Sequence, residues 1–153
     1  MRSKLFVPGS RPELFPKALA SQADSLSFDL EDAVPESGKA EARRLVGQAL
    51  QSPEFAASRK ILIVRVNSLA SPHFAAGLAA VVGPRLDLVN LPKVESAADV
   101  RAAAQALAQL LDEARRRDQL RWGLWLDGLA HGNVRIPGRY DREVPDLAGA
   151  CDI

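Results

Sequence analysis

The chain has 153 residues and a formal net charge of +1, enough length for one ordinary domain with a real core and no electrostatic footprint for nucleic acid. No apolar stretch approaches a membrane span, and the run Leu5 to Val7 is too short for a signal peptide. A single cysteine, Cys151, excludes an internal disulfide and suits a reducing compartment, so a soluble cytoplasmic protein is expected. Taken in order, residues 4–8 read as a short apolar strand. Gly9-Ser10-Arg11-Pro12 turns the chain, and Pro12-Glu13 opens a helix to about residue 21. Residues 24–30 form a second strand. Residues 38–50 are helical, with Ala42, Leu45, Val46, Ala49 and Leu50 at spacings of three and four. Residues 61–66 make a third strand, rich in β-branched side chains and apolar on both faces, as a covered parallel strand is. A small-residue helix over 73–82 and a fourth strand over 86–91, ended by Pro92, follow. Residues 96–114 form a long amphipathic helix, with Ser96 as N-cap and Asp99 closing a capping box. Arg115-Arg116-Arg117 among acidic neighbours reads as a solvated helix end. Residues 121–126, with Trp122 and Trp125, start a fifth strand. Residues 127–140 show neither a helical nor a strand period.

Strands alternating with helices at this spacing predict a parallel α/β architecture. Two versions compete, an open doubly wound sheet and a (β/α)₈ barrel. The strand ends are polar throughout: Pro8-Gly9-Ser10, Glu31-Asp32, Arg65 to Asn67, Pro92-Lys93-Glu95. A barrel gathers such ends at one mouth, whereas an open sheet uses a switch point. No glycine-rich nucleotide-binding fingerprint lies at any strand–helix junction. The pattern favours the (β/α)₈ TIM-barrel type, here only its first four to five βα units. A whole barrel takes about 250 residues, so a partial barrel is expected from these 153 residues.

The richest stretch for chemistry is Phe28-Asp29-Leu30-Glu31-Asp32, where an apolar run delivers three carboxylates in four positions. Neighbouring carboxylates disfavour one another's ionisation, so the cluster wants a hard divalent ion such as Mg²⁺ or a set of donors. The bland alternative is a solvated strand end. Arg65, flanked by valines on a buried strand, needs an anion for its planar fork, either a ligand carboxylate or Glu31 and Asp32 next door. Lys93 is a Schiff-base nucleophile or a fixed cation, and a salt bridge with Glu31 or Glu95 is the favoured reading. Arg2, Arg11 and Lys17 flank the first strand and its loop, where they are either phosphate receivers or surface charge. His73 and His131 have no carboxylate or second histidine at metal-ligand spacing.

Five ordered motifs then spell a recognisable pattern: residues 2–13 around Leu5-Phe6-Val7-Pro8-Gly9-Ser10-Arg11-Pro12, then Asp29-Leu30-Glu31-Asp32-Ala33-Val34, Lys39-x-x-Ala42-Arg43, Val64-Arg65-Val66-Asn67 and Leu91-Pro92-Lys93-Val94-Glu95. The chain resembles the citrate lyase β-subunit-like branch of the HpcH/HpaI aldolase family over about residues 2–113. The resemblance implies a (β/α)₈ barrel and Mg²⁺-dependent carbon–carbon lyase chemistry. Its substrates would be 3-hydroxyacyl-CoA esters of the citryl, malyl or citramalyl type, cleaved to a 2-oxo acid and an acyl-CoA. By resemblance, Arg65 matches the catalytic arginine that binds the oxo-acid end. Glu31 and Asp32 match the acidic pair behind the metal, acting through water. Arg2, Pro8 and Gly9 fall where the substrate and CoA entrance is shaped, and Lys93 is a further expected substrate-binding residue.

Departures from the family accompany the match. The fifth strand of the family carries a glutamate that ligates the metal directly, and Leu124-Trp125-Leu126-Asp127-Gly128-Leu129 has none. The Asp of the sixth strand, the other direct ligand, has no clear counterpart. The expectations are residues 1–126 as the N-terminal half of a lyase barrel and 127–153 as a diverged or aberrant tail, from a scrambled reading frame or a truncated gene. Lyase activity of the chain would be impaired. A non-catalytic half-barrel that binds an acidic metabolite or a partner chain is the alternative. An unclosed sheet leaves edges that invite pairing, so a homo-oligomer is expected.

Overall fold

The computed structural model of the chain describes residues 1–116 and 133–135, with side chains described as far as residue 112. Among the described residues, five strands form one sheet in the order β1-β2-β3-β4-β5. They are β1 (Lys4–Pro8), β2 (Ser25–Asp29), β3 (Ile61–Arg65), β4 (Leu88–Asn90) and β5 (Asn133–Arg135). The first four are parallel, with Phe28 opposite both Val7 and Val64, and Val64 opposite Val89. The helices are α1 (Phe15–Leu19), α2 (Lys39–Gln51), α3 (Pro53–Ala57), α4 (Phe74–Val81) and α5 (Ala97–Arg116).

Strand order decides between the two architectures. A doubly wound sheet reverses direction at its switch point and carries helices on both faces. Here the parallel strands follow one another without reversal. Alternate residues of the strands (Leu26 and Phe28, Leu62 and Val64, Val89) share one buried cluster with side chains from all five helices, including Phe15, Val46, Phe55, Leu78 and Leu107. The other face carries Phe6, Ser27, Ile63 and the charged ends Asp29 and Arg65. Helices on one face and sequential strands make the first four units of a (β/α)₈ arrangement.

Local chemistry explains most element ends. Ser96 and Asp99 close the capping box at α5: the Asp99 amide donates to Ser96 Oγ at 3.2 Å, and the Ser96 amide to Asp99 Oδ2 at 2.9 Å. The helix expected over 12–21 is interrupted. A 3₁₀ turn at Pro12–Leu14 precedes α1, because Pro16 has no amide to continue the ladder. The short α3 was not anticipated. Its signal was present in Ser52-Pro53-Glu54, a capping serine followed by proline at the first helical position. Where α2 crosses α4, a Cβ at Gly47 would lie 2.6 Å from the Ala80 carbonyl oxygen, so only glycine permits that approach.

The amino-terminal rim of the sheet is tied by Arg85, a residue sequence reasoning passed over. It is 7% exposed. Its guanidinium donates to the carbonyls of Phe55 (2.6 Å), Ser58 (2.9 Å) and Lys60 (2.9 Å) and to Asp87 (2.9 Å). Asp87 in turn accepts the Leu62 amide at 2.8 Å.

The fifth parallel strand expected over 121–126, with Trp122 and Trp125, lies outside the described residues, as do Arg117, His131 and Cys151. Within the segment expected to have no strand period, β5 pairs antiparallel with β4, Val134 opposite Val89. Three residues are too few to display a period of two, so the strand was invisible to pattern. Among the described residues, no helix is long and apolar enough to cross a membrane.

Candidate active site at the carboxyl ends of the strands

The parallel register brings the charged strand ends side by side, with Pro8 opposite Asp29 and Asp29 opposite Arg65. Asp29 lies on the same face as Ser25 and Ser27 through the period of two, and its side chain is 4% exposed. It takes the fork of Arg65, from Nε at 3.0 Å and Nη2 at 2.5 Å. It also accepts the amides of Glu31 (2.7 Å) and Ala33 (3.1 Å), which turns the chain tightly after β2. Burial pushes the Asp29 carboxyl up, but the Arg65 guanidinium and the two amides outweigh it and hold it below the usual carboxylate range. Arg65 is held above its ordinary value by the same pair.

Glu31 and Asp32 follow on that turn. Arg65 Nη1 lies 3.5 Å from Glu31 Oε2 and 3.5 Å from Asp32 Oδ2. Lys93 reaches across from the loop after β4, with Nζ 2.8 Å from Glu31 Oε1 and 3.6 Å from Asp32 Oδ1. The two carboxylates differ in environment: the Glu31 side chain is 7% exposed and that of Asp32 64%. Both Glu31 oxygens are buried without an aligned hydrogen bond, because the close Lys93 ammonium is an ion-pair contact outside hydrogen-bonding angles. Contacts with Glu31 and then Asp32 raise the Lys93 pKa, which favours the fixed cation over the Schiff-base nucleophile of the two sequence readings. Glu95, weighed from sequence as its partner, is exposed.

Two features that sequence reasoning missed hold this turn in place. Lys39, nearly buried at the start of α2, donates Nζ to the carbonyls of Leu30 (3.1 Å) and Glu31 (2.6 Å). Its signal was its place in the Lys39-x-x-Ala42-Arg43 motif. Gly9 donates its amide to the Asp29 carbonyl at 2.8 Å, and a Cβ there would meet that oxygen at 2.8 Å. The Pro8-Gly9 loop therefore lies directly against the turn.

Arg65, Glu31, Asp32, Lys93, Pro8 and Gly9 are thus gathered at one rim. Arg2 is not. It precedes β1, and its amide and guanidinium bind Asp24 ahead of β2 at 2.7 and 3.4 Å. That is the opposite rim, roughly 20 Å of extended chain from Pro8, so the expected placing of Arg2 at the substrate entrance does not hold in this structure. Arg11 pairs with Glu13, and Lys17 is exposed on α1. His73, which lacked a carboxylate at metal-ligand spacing, meets Glu36 through Nε2, and Arg43 Nη1 lies 3.2 Å from its Nδ1.

A family model described as HpcH/HpaI aldolase/citrate lyase matches residues 2–137. The chain belongs to this family. It is 42% identical over 119 residues to an L-malyl-CoA/beta-methylmalyl-CoA lyase of Cereibacter sphaeroides, covering 76% of this chain and 36% of the relative. It is 43% identical over 97 residues to citrate lyase subunit beta of Leuconostoc mesenteroides subsp. cremoris, covering 63% and 32%. The citrate lyase beta subunit of M. tuberculosis, solved with oxaloacetate and magnesium, superposes with a TM-score of 0.55 at 40% identity, over 66% of this chain and 42% of that one. The chain spans about a third of the length of the curated relatives it matches.

Among the described residues, no three His, Cys, Asp or Glu side chains gather to hold a metal ion directly. What this family member does offer an ion is Glu31 and Asp32. The buried oxygens of Glu31, held by ion-pair contacts but by no aligned hydrogen bond, stand beside an open Asp32 and fit the outer part of a hard-cation site that would be reached through water.

Proposed function

We propose that the chain carries the 2-oxo-acid-binding part of a Mg²⁺-dependent carbon–carbon lyase. Its substrate class is a 3-hydroxyacyl-CoA ester of the malyl, citramalyl or citryl type, related to a 2-oxo acid and an acyl-CoA. The observation that carries this reading is the meeting of Arg65, Lys93, Glu31 and Asp32 at the carboxyl ends of successive parallel strands. When bound, Mg²⁺ would supply Lewis-acid stabilisation of charge developing on the 2-oxo acid. Arg65 presents Nη1 to the ligand's carboxylate while its other nitrogens stay on Asp29. Glu31 and Asp32 would hold the ion through water, supplying acceptors at the end of β2. Lys93 adds a cation for the ligand's second carboxylate, and the Pro8-Gly9 loop borders the approach of the thioester.

In this reading residues 1–126 form the first half of the barrel, 127–153 are a diverged tail, and the protein acts in the cytoplasm. The absence of a glutamate from residues 124–129 favours binding without efficient turnover. Calorimetry with Mg²⁺ and pyruvate or oxaloacetate, run beside a malyl-CoA cleavage assay on the 153-residue chain, tests both halves. Millimolar or tighter binding with negligible cleavage is expected. Substantial Mg²⁺-dependent cleavage would remove the impairment, and absence of 2-oxo acid binding would remove the proposal.

Self-association belongs to the same proposal. Among the described residues β1 has a strand on one side only, and Leu5 and Phe6 are 37% and 55% exposed there. A free strand edge bearing apolar side chains invites pairing. Light scattering on a gel-filtered sample is expected to give a mass of at least two chains, and a single monomeric mass would overturn it.

A further inference from the structure

The charges at the site are already balanced by the protein itself. Asp29, Glu31 and Asp32 supply three negative charges. Arg65 and Lys93 supply two positive charges in contact with them, and the Lys39 ammonium stands behind on the carbonyls of Leu30 and Glu31. A bare divalent ion arriving here meets neutralised carboxylates rather than a field of free anions.

The three cations are not equally fixed. Arg65 is forked on buried Asp29, and Lys39 is clamped by two carbonyls. The Lys93 side chain is 62% exposed, and among the described residues its ion-pair contacts are Glu31 and Asp32. Its backbone is left-handed at φ 55°, a conformation that non-glycine residues hold only where their surroundings require it. Lys93 Nζ sits 2.8 Å from Glu31 Oε1, the place a metal-bound water would take to use that oxygen. Ammonium and hydrated ion exclude one another there.

We propose that Lys93 is an internal counter-cation that keeps the Glu31–Asp32 site from a bare divalent ion and yields it when a ligand anion can receive the ammonium. This rests on the metal reading of the site given above. Without an anion, the ion must displace Lys93 into solvent. With a 2-oxo acid bound, the displaced ammonium moves onto the ligand's carboxylate, so ion and acid favour each other's binding reciprocally.

The test is calorimetric titration of Mn²⁺ into the 153-residue chain as wild type, Lys93→Gln and Lys93→Arg, with circular dichroism to establish that each is folded. Lys93→Gln is expected to bind Mn²⁺ about tenfold more tightly than wild type, because a unit charge beside the ion is gone, and Lys93→Arg is not. Saturating pyruvate is expected to tighten Mn²⁺ binding to the wild type severalfold and to leave Lys93→Gln within about twofold. Equal or weaker Mn²⁺ binding by folded Lys93→Gln overturns the counter-cation role while the metal site stands. No Mn²⁺ binding by any of the three overturns the metal site and this inference with it. If Lys93→Gln does not fold, the wild type decides: Lys93 side-chain NMR signals that stay unmoved at saturating Mg²⁺ overturn the proposal, and displaced ones support it.

Discussion

Arg65→Met is expected to lower folding stability by about 3 kcal/mol and to abolish 2-oxo acid binding. The stability loss comes from Asp29, whose side chain is 4% exposed and takes both ends of the guanidinium fork. Removing one partner of a buried pair leaves an uncompensated charge, at about 3–5 kcal/mol. The low end applies because Asp29 keeps the amides of Glu31 and Ala33 and Arg65 is a quarter exposed, at 24%. Arg65→Lys keeps the charge without the planar fork, so its loss should be about half as large. Urea unfolding with calorimetric titration of pyruvate and Mg²⁺ measures both effects. A methionine variant within about 1 kcal/mol of wild type would show that Asp29 does not depend on Arg65.

Phe28→Ala is expected to cost about 3–5 kcal/mol, the range for emptying a buried aromatic position. Phe28 is wholly buried on the helix-facing side of β2. Its ring meets Phe15 edge-on at 4.9 Å and Phe55 at 5.7 Å, so one side chain joins the sheet to α1 and α3. Such aromatic pairs add to what burial alone contributes. Phe28→Leu retains most of the volume and should lose about half as much. Chemical denaturation of both variants checks this, and an alanine variant losing under about 1.5 kcal/mol would mean the site collapses around the gap. Phe28 precedes Asp29 in β2, so the alanine variant should also weaken 2-oxo acid binding in the same calorimetric assay.

How far the candidate site could be read in advance differs from residue to residue. Glu31, Asp32, Arg65 and Lys93 were each legible because charged residues at the ends of apolar strands are anomalous on their own. Their partners were not. Asp29 looked like one more member of an acidic cluster, yet it anchors Arg65, because the parallel register sets it opposite that residue. Lys39 showed only its place in the Lys39-x-x-Ala42-Arg43 motif, and Arg85 carried no local sign of its role. Each spends its donors on carbonyls that come near only when separate elements pack. Arg2 misled in the other direction: nearness in sequence to the Pro8-Gly9 loop hid the length of β1 between them. The contact of His73 with Glu36 spans a loop, α2, α3 and β3, and no spacing rule reaches that far.

Alternation of strand and helix, the capping box of α5 and the polar character of every strand end were determined by the sequence alone. They depend on period, propensity and hydrogen bonds within a few residues, which any short segment carries with it. Strand order, the placing of all helices on one face and the choice of ion-pair partners were decided only by the tertiary structure. Those depend on register between segments tens of residues apart, where a shift of one residue sends a carboxylate to the opposite face of the sheet.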